Sequence, residues 1–169
     1  MNRRLNNGLK DSQALTRNKG DFEEMCRDVT AFANSGGGQV IYGIAEDKKA
    51  KKNFIDAGVV DPIITREWID QKLASNVSPS MHGLQIAEFP ISDNGRAFVL
   101  TIPATTNGPH QSPDHKYYRR SETNRPPMTD REIRDVMSRS TTPDLRVSLA
   151  FVGQKSITLA GGLRHGSCD

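Results

Sequence analysis

One continuous run, residues 20–44, constrains the fold of this chain more than any other feature. Residues 20–35 repeat apolar side chains every three or four positions, which predicts a helix with one buried face and with Asp21 as its N-cap. Residues 34–38 include three consecutive glycines and end that helix. Residues 39–44 form a short, mostly apolar segment, which predicts a strand. Helix, glycine loop and strand therefore form one unit of an α/β domain.

The segment after this unit predicts a loop and a second helix. Residues 45–53 are polar and rich in lysine, which is typical of an exposed loop. Thr65 is placed to cap a helix that ends near Asn76. Trp68 falls on the apolar face of that helix, so we expect it to contribute to the core.

Two further β-rich runs follow, at residues 84–91 and 96–102. The Asn94-Gly95 pair between them favours a hairpin, because both residue types tolerate positive φ. Residues 116–120 predict another short strand. The sheet is therefore expected to be mixed and mostly antiparallel.

The end of the chain predicts one more helix and then a change of character. Thr129 and Glu132 form a capping-box pattern that opens a helix to about Arg139. We expect a domain over residues 1–139, in which about three helices flank the sheet, and a linker with a truncated appendage over residues 140–169.

The distribution of charge bears on function more than the net charge of +3 does. Residues 1–20 carry five Lys/Arg against the single acid Asp11, and Lys48, Lys49, Lys51 and Lys52 cluster in one loop. No apolar run suggests a membrane span or a signal peptide, and the two cysteines lack metal-site spacing. A reducing, cytoplasmic location is expected.

The strongest candidate binding patch covers residues 110–125, which hold four Lys/Arg, two His and two Tyr against two acids. Cations attract phosphates independently of sequence, and a tyrosine ring can stack on an unpaired base. Because strand residues alternate, one of the two tyrosines should face inward. The candidate nucleic-acid contacts are Lys48, Lys49, Lys116, Tyr118, Arg119, Arg120 and Arg125; an ordinary solvated strand is the alternative.

Two other features allow a chemical and a structural interpretation. The glycine loop could cradle a phosphate with its amides, or it could be only a helix stop; its residues are Asn34, Ser35, Gly36, Gly37 and Gly38. It follows a helix C-terminus, whose partial charge disfavours anions. Glu46 and Asp47 follow a strand, where they could bind a metal or act as a base, or could be turn acids.

The run from Asp28 to Ile44, DVTAFANSGGGQVIYGI, resembles the AFANxxGG…GV signature of the Schlafen AlbA family. Residues 117–121, YYRRS, followed by the capped helix at Thr129, are similar to that family's closing elements. The resemblance covers residues 8–139. It implies an α/β (α+β) fold with a mixed sheet, and nucleic-acid binding.

The resemblance also implies the endoribonuclease activity of some members of the family. That activity uses two glutamates near the N-terminus and one aspartate. Gly8 stands where one of those glutamates is expected, while Glu46 or Asp47 matches the aspartate. No cofactor is expected, except Mg²⁺ or Mn²⁺ for a nuclease. Related bacterial proteins are often labelled as DNA-binding or ATP-binding.

Three functions follow from these residues. The first is a module that binds RNA or DNA through phosphate contacts, possible as a homodimer and without a membrane partner. The second is a metal-dependent ribonuclease that uses Glu46 or Asp47. The third is a nucleotide-binding regulatory domain that uses the glycine loop.

Overall fold

The computed structural model describes residues 7–47, 52–121 and 124–141. Within them lie three helices and six strands, with a short 3-10 turn at Ser12–Ala14. None of these helices is long and apolar enough to cross a membrane. The elements in chain order are β1 (Asn7–Lys10), α1 (Lys19–Asn34), β2 (Gly38–Tyr42), β3 (Ile44–Asp47), β4 (Lys52–Ile55), α2 (Arg66–Asn76), β5 (Gln85–Pro90), β6 (Arg96–Ile102) and α3 (Asp130–Thr141).

Four of the strands form one mixed sheet in the order β1-β2-β6-β5. β1 lies parallel to β2, whereas β2, β6 and β5 pair antiparallel. β3 and β4 form a separate two-stranded sheet. The predicted α+β class, with a mostly antiparallel sheet and three helices, is confirmed.

The core lies between one face of the four-stranded sheet and helices α1 and α2. Val40 and Tyr42 of β2 point into it together with Phe98 and Leu100 of β6, and all four are buried. This follows from alternation along a strand, because residues two apart face the same side. Trp68 packs against this core while remaining partly exposed.

Helix α1 begins one residue before the predicted start, so the predicted N-cap is wrong. Asn18 occupies the N-cap position without a side-chain hydrogen bond, and Asp21 lies in the first turn, where its carboxylate accepts a hydrogen bond from the Thr16 hydroxyl. A carboxylate at that place still interacts favourably with the helix dipole.

The glycine loop ends α1 as predicted. The backbone N–H groups of Ser35 and Gly37 both donate to the Phe32 carbonyl. Gly36 and Gly37 have φ values of 102° and 85°, and a Cβ on Gly37 would lie 2.7 Å from the Ile102 carbonyl oxygen. These are the backbone conformations and the close approach that only glycine accommodates.

Part of the polar segment predicted as a loop forms strands instead: residues 45–47 lie in β3 and residues 52–53 in β4, while residues 48–51 lie outside the described residues. β2 stops at Gly43, whose φ is 99°, and β3 then pairs with β4. Phe54 and Ile55 of β4 are 53% and 65% exposed. Exposed apolar residues at successive positions show no alternation between buried and exposed, so periodicity alone does not reveal this strand.

The β5–β6 hairpin is confirmed, but the reason given for its turn is wrong. Neither Asn94 nor Gly95 is among the positive-φ residues of the described chain. A Cβ on Gly95 would lie 1.9 Å from the Ala57 carbonyl oxygen. Gly95 is therefore required by a close backbone approach rather than by its φ angle.

Residues 116–120 do not form a regular strand. Isolated bridges join Gln111 to Tyr117 and Tyr118 to Pro127, so this segment pairs with neighbouring loops and not with the sheet. The helix predicted after it is present as α3. Its capping box is formed, since the Glu132 carboxylate accepts hydrogen bonds from the Thr129 backbone N–H and hydroxyl.

Residues 142–169 lie outside the described residues, so the predicted domain boundary near residue 139 and the predicted appendage remain predictions.

Candidate nucleic-acid interface

The side chain of Asn34 joins the end of α1 to the basic segment at residues 110–120. Its Nδ2 donates to the carbonyls of His110 and Tyr118, both at 3.0 Å, and its Oδ1 accepts from the His110 backbone N–H at 2.8 Å. Asn34 is 4% exposed, so these bonds form away from water. The basic segment is thereby fixed beside the C-terminus of α1.

Arg120 is held in place from two sides. Its backbone N–H donates to the Ser35 hydroxyl oxygen at 2.7 Å, and its guanidinium carbon lies 4.5 Å from the centre of the buried Phe32 ring. A cation over an aromatic face is attracted by the ring's quadrupole. No carboxylate within the described ranges pairs with Arg120. Among the described residues, its positive charge is therefore positioned but not neutralised.

A pocket of about 240 Å³ opens where α1, the basic segment and α3 meet. Three arginines from two separate parts of the chain line it. Their positions in the sequence do not predict that they lie close together. Its lining residues are Asn34, Ser35, Arg119, Arg120, Met128, Glu132, Asp135, Val136 and Arg139. We call this the α3 pocket.

The α3 pocket carries both signs of charge. Arg119 Nε lies 2.7 Å from Glu132 Oε1, whereas Arg139 and Asp135 form no ion pair with any described residue. Hydrogen bonds from the Thr129 backbone and side chain lower the pKa of Glu132, so this carboxylate stays ionised in its capping box. Arg120 and Arg139 thus line the pocket without an acid partner among the described residues.

Arg125, predicted as a nucleic-acid contact, does not line the α3 pocket but forms ion pairs with two acids of α1. Its Nη1 lies 2.8 Å from Asp28 Oδ1 and its Nη2 lies 3.0 Å from Glu24 Oε1. Lys10 also approaches both acids, at 2.8 Å from Glu24 and 3.3 Å from Asp28. Burial raises the pKa of Asp28, and the two cations oppose that shift. Arg125 therefore belongs to an internal ion cluster.

Sequence reasoning missed this ion cluster. Asp28 was visible only as the first residue of the AFAN-containing run, and it lies on the buried face of α1, next to Val29. The available signal was an acid at a position that the helical period assigns to the interior, because a buried charge requires a partner.

The two tyrosines alternate as predicted, and the inner one is Tyr118. Its ring is 8% exposed and its hydroxyl donates to the Asp114 carboxylate, which also lies 3.4 Å from Arg27. A ring so enclosed has no free face for a base. Tyr117 is partly exposed and Lys116 is exposed, so these two side chains lie nearer to solvent.

The glycine loop offers few amides to a ligand. The N–H groups of Ser35 and Gly37 are used in ending α1, and Gly38 begins β2 opposite Ile102. The amide of Asn34 is bonded through both of its polar atoms. This arrangement favours the helix-stop interpretation over a phosphate cradle.

The acids of the ribonuclease hypothesis are described only through their backbone. Glu46 and Asp47 lie in β3, paired with Asn53 and Lys52. Lys48 and Lys49, predicted as phosphate contacts, lie outside the described residues. In the described ranges, no three His, Cys, Asp or Glu side chains group as a metal site would require.

Comparisons with known proteins agree with this architecture. Among solved structures, the DIP2311 protein from Corynebacterium diphtheriae is similar, with a TM-score of 0.53 and 16% identity over 73% of this chain and 22% of that chain. The N-terminal domain of a RecG-related protein from Nitrosomonas europaea has a TM-score of 0.48 and 17% identity, covering 73% of this chain and 84% of that chain. A comparison with curated proteins finds no match.

The chain therefore spans about a fifth of DIP2311, and at that identity the likeness shows the fold alone. The family model described as Schlafen, AlbA_2 matches residues 6–129. This match runs from the strand at the sheet edge to the residue before α3, and it includes the glycine loop and the basic segment. The chain belongs to the Schlafen AlbA_2 family.

Proposed function

We propose that this chain is a nucleic-acid-binding module whose phosphate contacts come from Arg120 and Arg139 in the α3 pocket, with Arg119 and Lys116 beside it. The observation that carries the proposal is the state of Arg120. Its guanidinium rests on Phe32, its backbone is bonded to Ser35, and it has no acid partner in the described chain. Family membership supports a nucleic-acid-associated role.

The placement of Arg120 suits phosphate binding for a physical reason. A guanidinium that is already ordered loses little conformational freedom when it binds a phosphate. It also forms charge-assisted hydrogen bonds, which are stronger than neutral ones. Most other described cations are already paired with an acid and so are less available to a phosphate. Arg125 is bound to Asp28, for example, and Arg17 to Asp61. Within the described residues, the α3 pocket brings together two arginines without acid partners, Arg120 and Arg139.

The pocket fits a local contact with a polymer better than it fits a free nucleotide. Its volume of about 240 Å³ is smaller than the about 300–1,000 Å³ typical of sites for drug-sized ligands. This size argues against the ATP-binding alternative.

Fluorescence anisotropy with labelled single-stranded RNA, single-stranded DNA and duplex tests the proposal. If three phosphates are neutralised, the logarithm of affinity should fall with the logarithm of salt with a slope of about −2 on single strands. Arg120→Met keeps an unbranched apolar side chain beside Phe32 but removes the guanidinium and its charge, so we expect weaker binding and a slope less negative by about 0.7.

Arg134→Met is the matched control, because Arg134 is exposed on α3 and paired with Asp130 outside the pocket. We expect this variant to bind as the unmodified protein does. Affinity that is independent of salt, or an equal loss in both variants, would contradict the proposal.

A further inference from the structure

The α3 pocket contains a carboxylate that phosphate binding alone does not explain. Asp135 lines the pocket together with Arg119, Arg120 and Arg139. Its side chain forms no hydrogen bond or ion pair with any described residue. A negative charge at this place repels a phosphate, so the pocket suits a ligand that presents hydrogen-bond donors as well as an anion.

The second acid of the pocket is not available for that purpose. Glu132 Oε1 is held by Arg119 at 2.7 Å, and Oε2 accepts hydrogen bonds from the Thr129 N–H at 2.8 Å and the Thr129 hydroxyl at 2.9 Å. Among the residues that line the pocket, Asp135 is thus the acid whose carboxylate has no partner in the described chain.

We infer that the α3 pocket receives one unpaired guanine base of a single-stranded nucleic acid, whose Watson–Crick edge donates to the Asp135 carboxylate. This inference rests on the proposed function. Guanine presents two adjacent donors, N1–H and the N2 amino group, which match the two oxygens of a carboxylate. Uracil and thymine present one N–H between two carbonyls, which a carboxylate repels.

The remaining walls of the pocket agree with a base. Met128 is partly buried and Val136 is 5% exposed, which supplies an apolar surface. Arg119 and Arg120 are partly exposed there, and arginine guanidinium planes stack on unpaired bases. In a duplex the Watson–Crick edge is occupied by the opposite base, so this contact requires an unpaired nucleotide.

Single-stranded oligouridines with one central G, A, C or U test the inference by anisotropy. We expect the unmodified protein to bind the G-containing strand about tenfold more tightly than the all-U strand, the size expected for one good bidentate base contact. Asp135→Asn should reduce that preference to about twofold or less, while binding to the all-U strand is kept or strengthened because a negative charge is removed.

Asp130→Asn is the matched control, since Asp130 lies on the same helix and is paired with Arg134 outside the pocket. It should keep the preference for G. Circular dichroism establishes that each variant is folded before its binding is compared.

Two results would overturn the inference while leaving the proposed function intact. One is equal binding of all four strands that still depends on Arg120. The other is an equal gain for all four strands in Asp135→Asn, which would show that this acid only repels phosphates. If binding does not depend on Arg120 at all, the proposed function fails, and the base contact fails with it.

Discussion

The side-chain amide of Asn34 is bonded to both backbone polar groups of His110, a residue 76 positions later in the chain. One amide thereby replaces the pairing that a neighbouring strand would provide. Because Nδ2 also donates to Tyr118, Asn34 fixes two points of the basic segment against α1. The position of Arg120 in the α3 pocket depends on this connection.

Replacing Asn34 with alanine should destabilise the fold strongly. The change leaves the His110 N–H and two carbonyls without partners in a buried place, and each buried unsatisfied group costs about 1–3 kcal/mol. We expect a loss of at least about 2 kcal/mol in the free energy of unfolding, measured by urea denaturation.

Asn107→Ala serves as the control for this change. Asn107 is exposed and donates to Ser80 at 3.3 Å, so its loss should cost less than about 0.5 kcal/mol. A similarly small loss for Asn34→Ala would show that the observed bonds do not hold the segment in place.

His110 should make stability depend on pH near neutrality. Its imidazole is 1% exposed, with Nδ1 donating to the Pro79 carbonyl at 2.7 Å and Nε2 lying 3.0 Å from the Thr105 hydroxyl. Burial lowers the pKa of His110 below its usual 6.5. Below pH 6.5 the unfolded chain therefore binds more protons than the folded one, and stability should fall as pH decreases.

Two measurements check this dependence. Urea denaturation across the range should show the loss on acidification, and His110→Gln should reduce it. NMR of the histidine ring protons should show His110 still neutral at a pH where the unfolded chain is protonated, with exposed His82 and His115 as reference signals. An early protonation of His110 in the folded protein would contradict the assignment.

Removing the Arg125 side chain should lower the stability of the folded protein rather than remove a contact with nucleic acid. Arg125→Ala takes one of two cations from the buried Asp28 and leaves Lys10 at 3.3 Å. Breaking a buried pair outright costs about 3–5 kcal/mol, so with Lys10 retained we expect a loss of about 2–3 kcal/mol. The double variant Asp28→Asn/Arg125→Ala should recover part of that loss. A stable Arg125→Ala that fails to bind nucleic acid would instead support the original assignment of Arg125 as a phosphate contact.

Glu132→Gln should strengthen nucleic-acid binding with little effect on stability. Glutamine at this position keeps the capping box with Thr129 but releases the guanidinium of Arg119, which now lies 2.7 Å from Glu132. The pair is partly exposed, so its loss should cost no more than about 1 kcal/mol. We expect a steeper salt dependence in anisotropy titrations, by about 0.7 on single strands. Unchanged affinity would indicate that Arg119 takes no part in binding.

Much of the fold follows from local sequence patterns. The period of α1, its glycine stop, the Thr65 cap of α2 and the capping box of α3 each act within a few residues. The Thr65 hydroxyl accepts from the Trp68 N–H at 3.1 Å, as its place before a helical pattern predicts. Interactions of this range are readable because both partners appear in one short segment.

The failures have the opposite character. Phe54 and Ile55 of β4 are both exposed, so this strand shows no alternation of buried and exposed apolar residues. The turn at Gly95 is explained by Ala57, which lies far from it in sequence. Residues 116–120 look like a strand by composition, yet within the described chain they form only isolated β-bridges, from Tyr117 to Gln111 and from Tyr118 to Pro127. Each of these outcomes depends on a neighbour that local patterns do not identify.

The sequence by itself determined the family, the α+β class and the presence of a basic segment near α3. Only the tertiary structure decided which cations are free, because the partner of each charge comes from a distant part of the chain. Arg125 meets Asp28, whereas Arg120, bonded to Ser35 85 residues earlier, meets an aromatic ring and no acid of the described residues. Charge neutralisation acts over a few ångströms in space and not along the sequence, so the binding surface emerges only when the chain has folded.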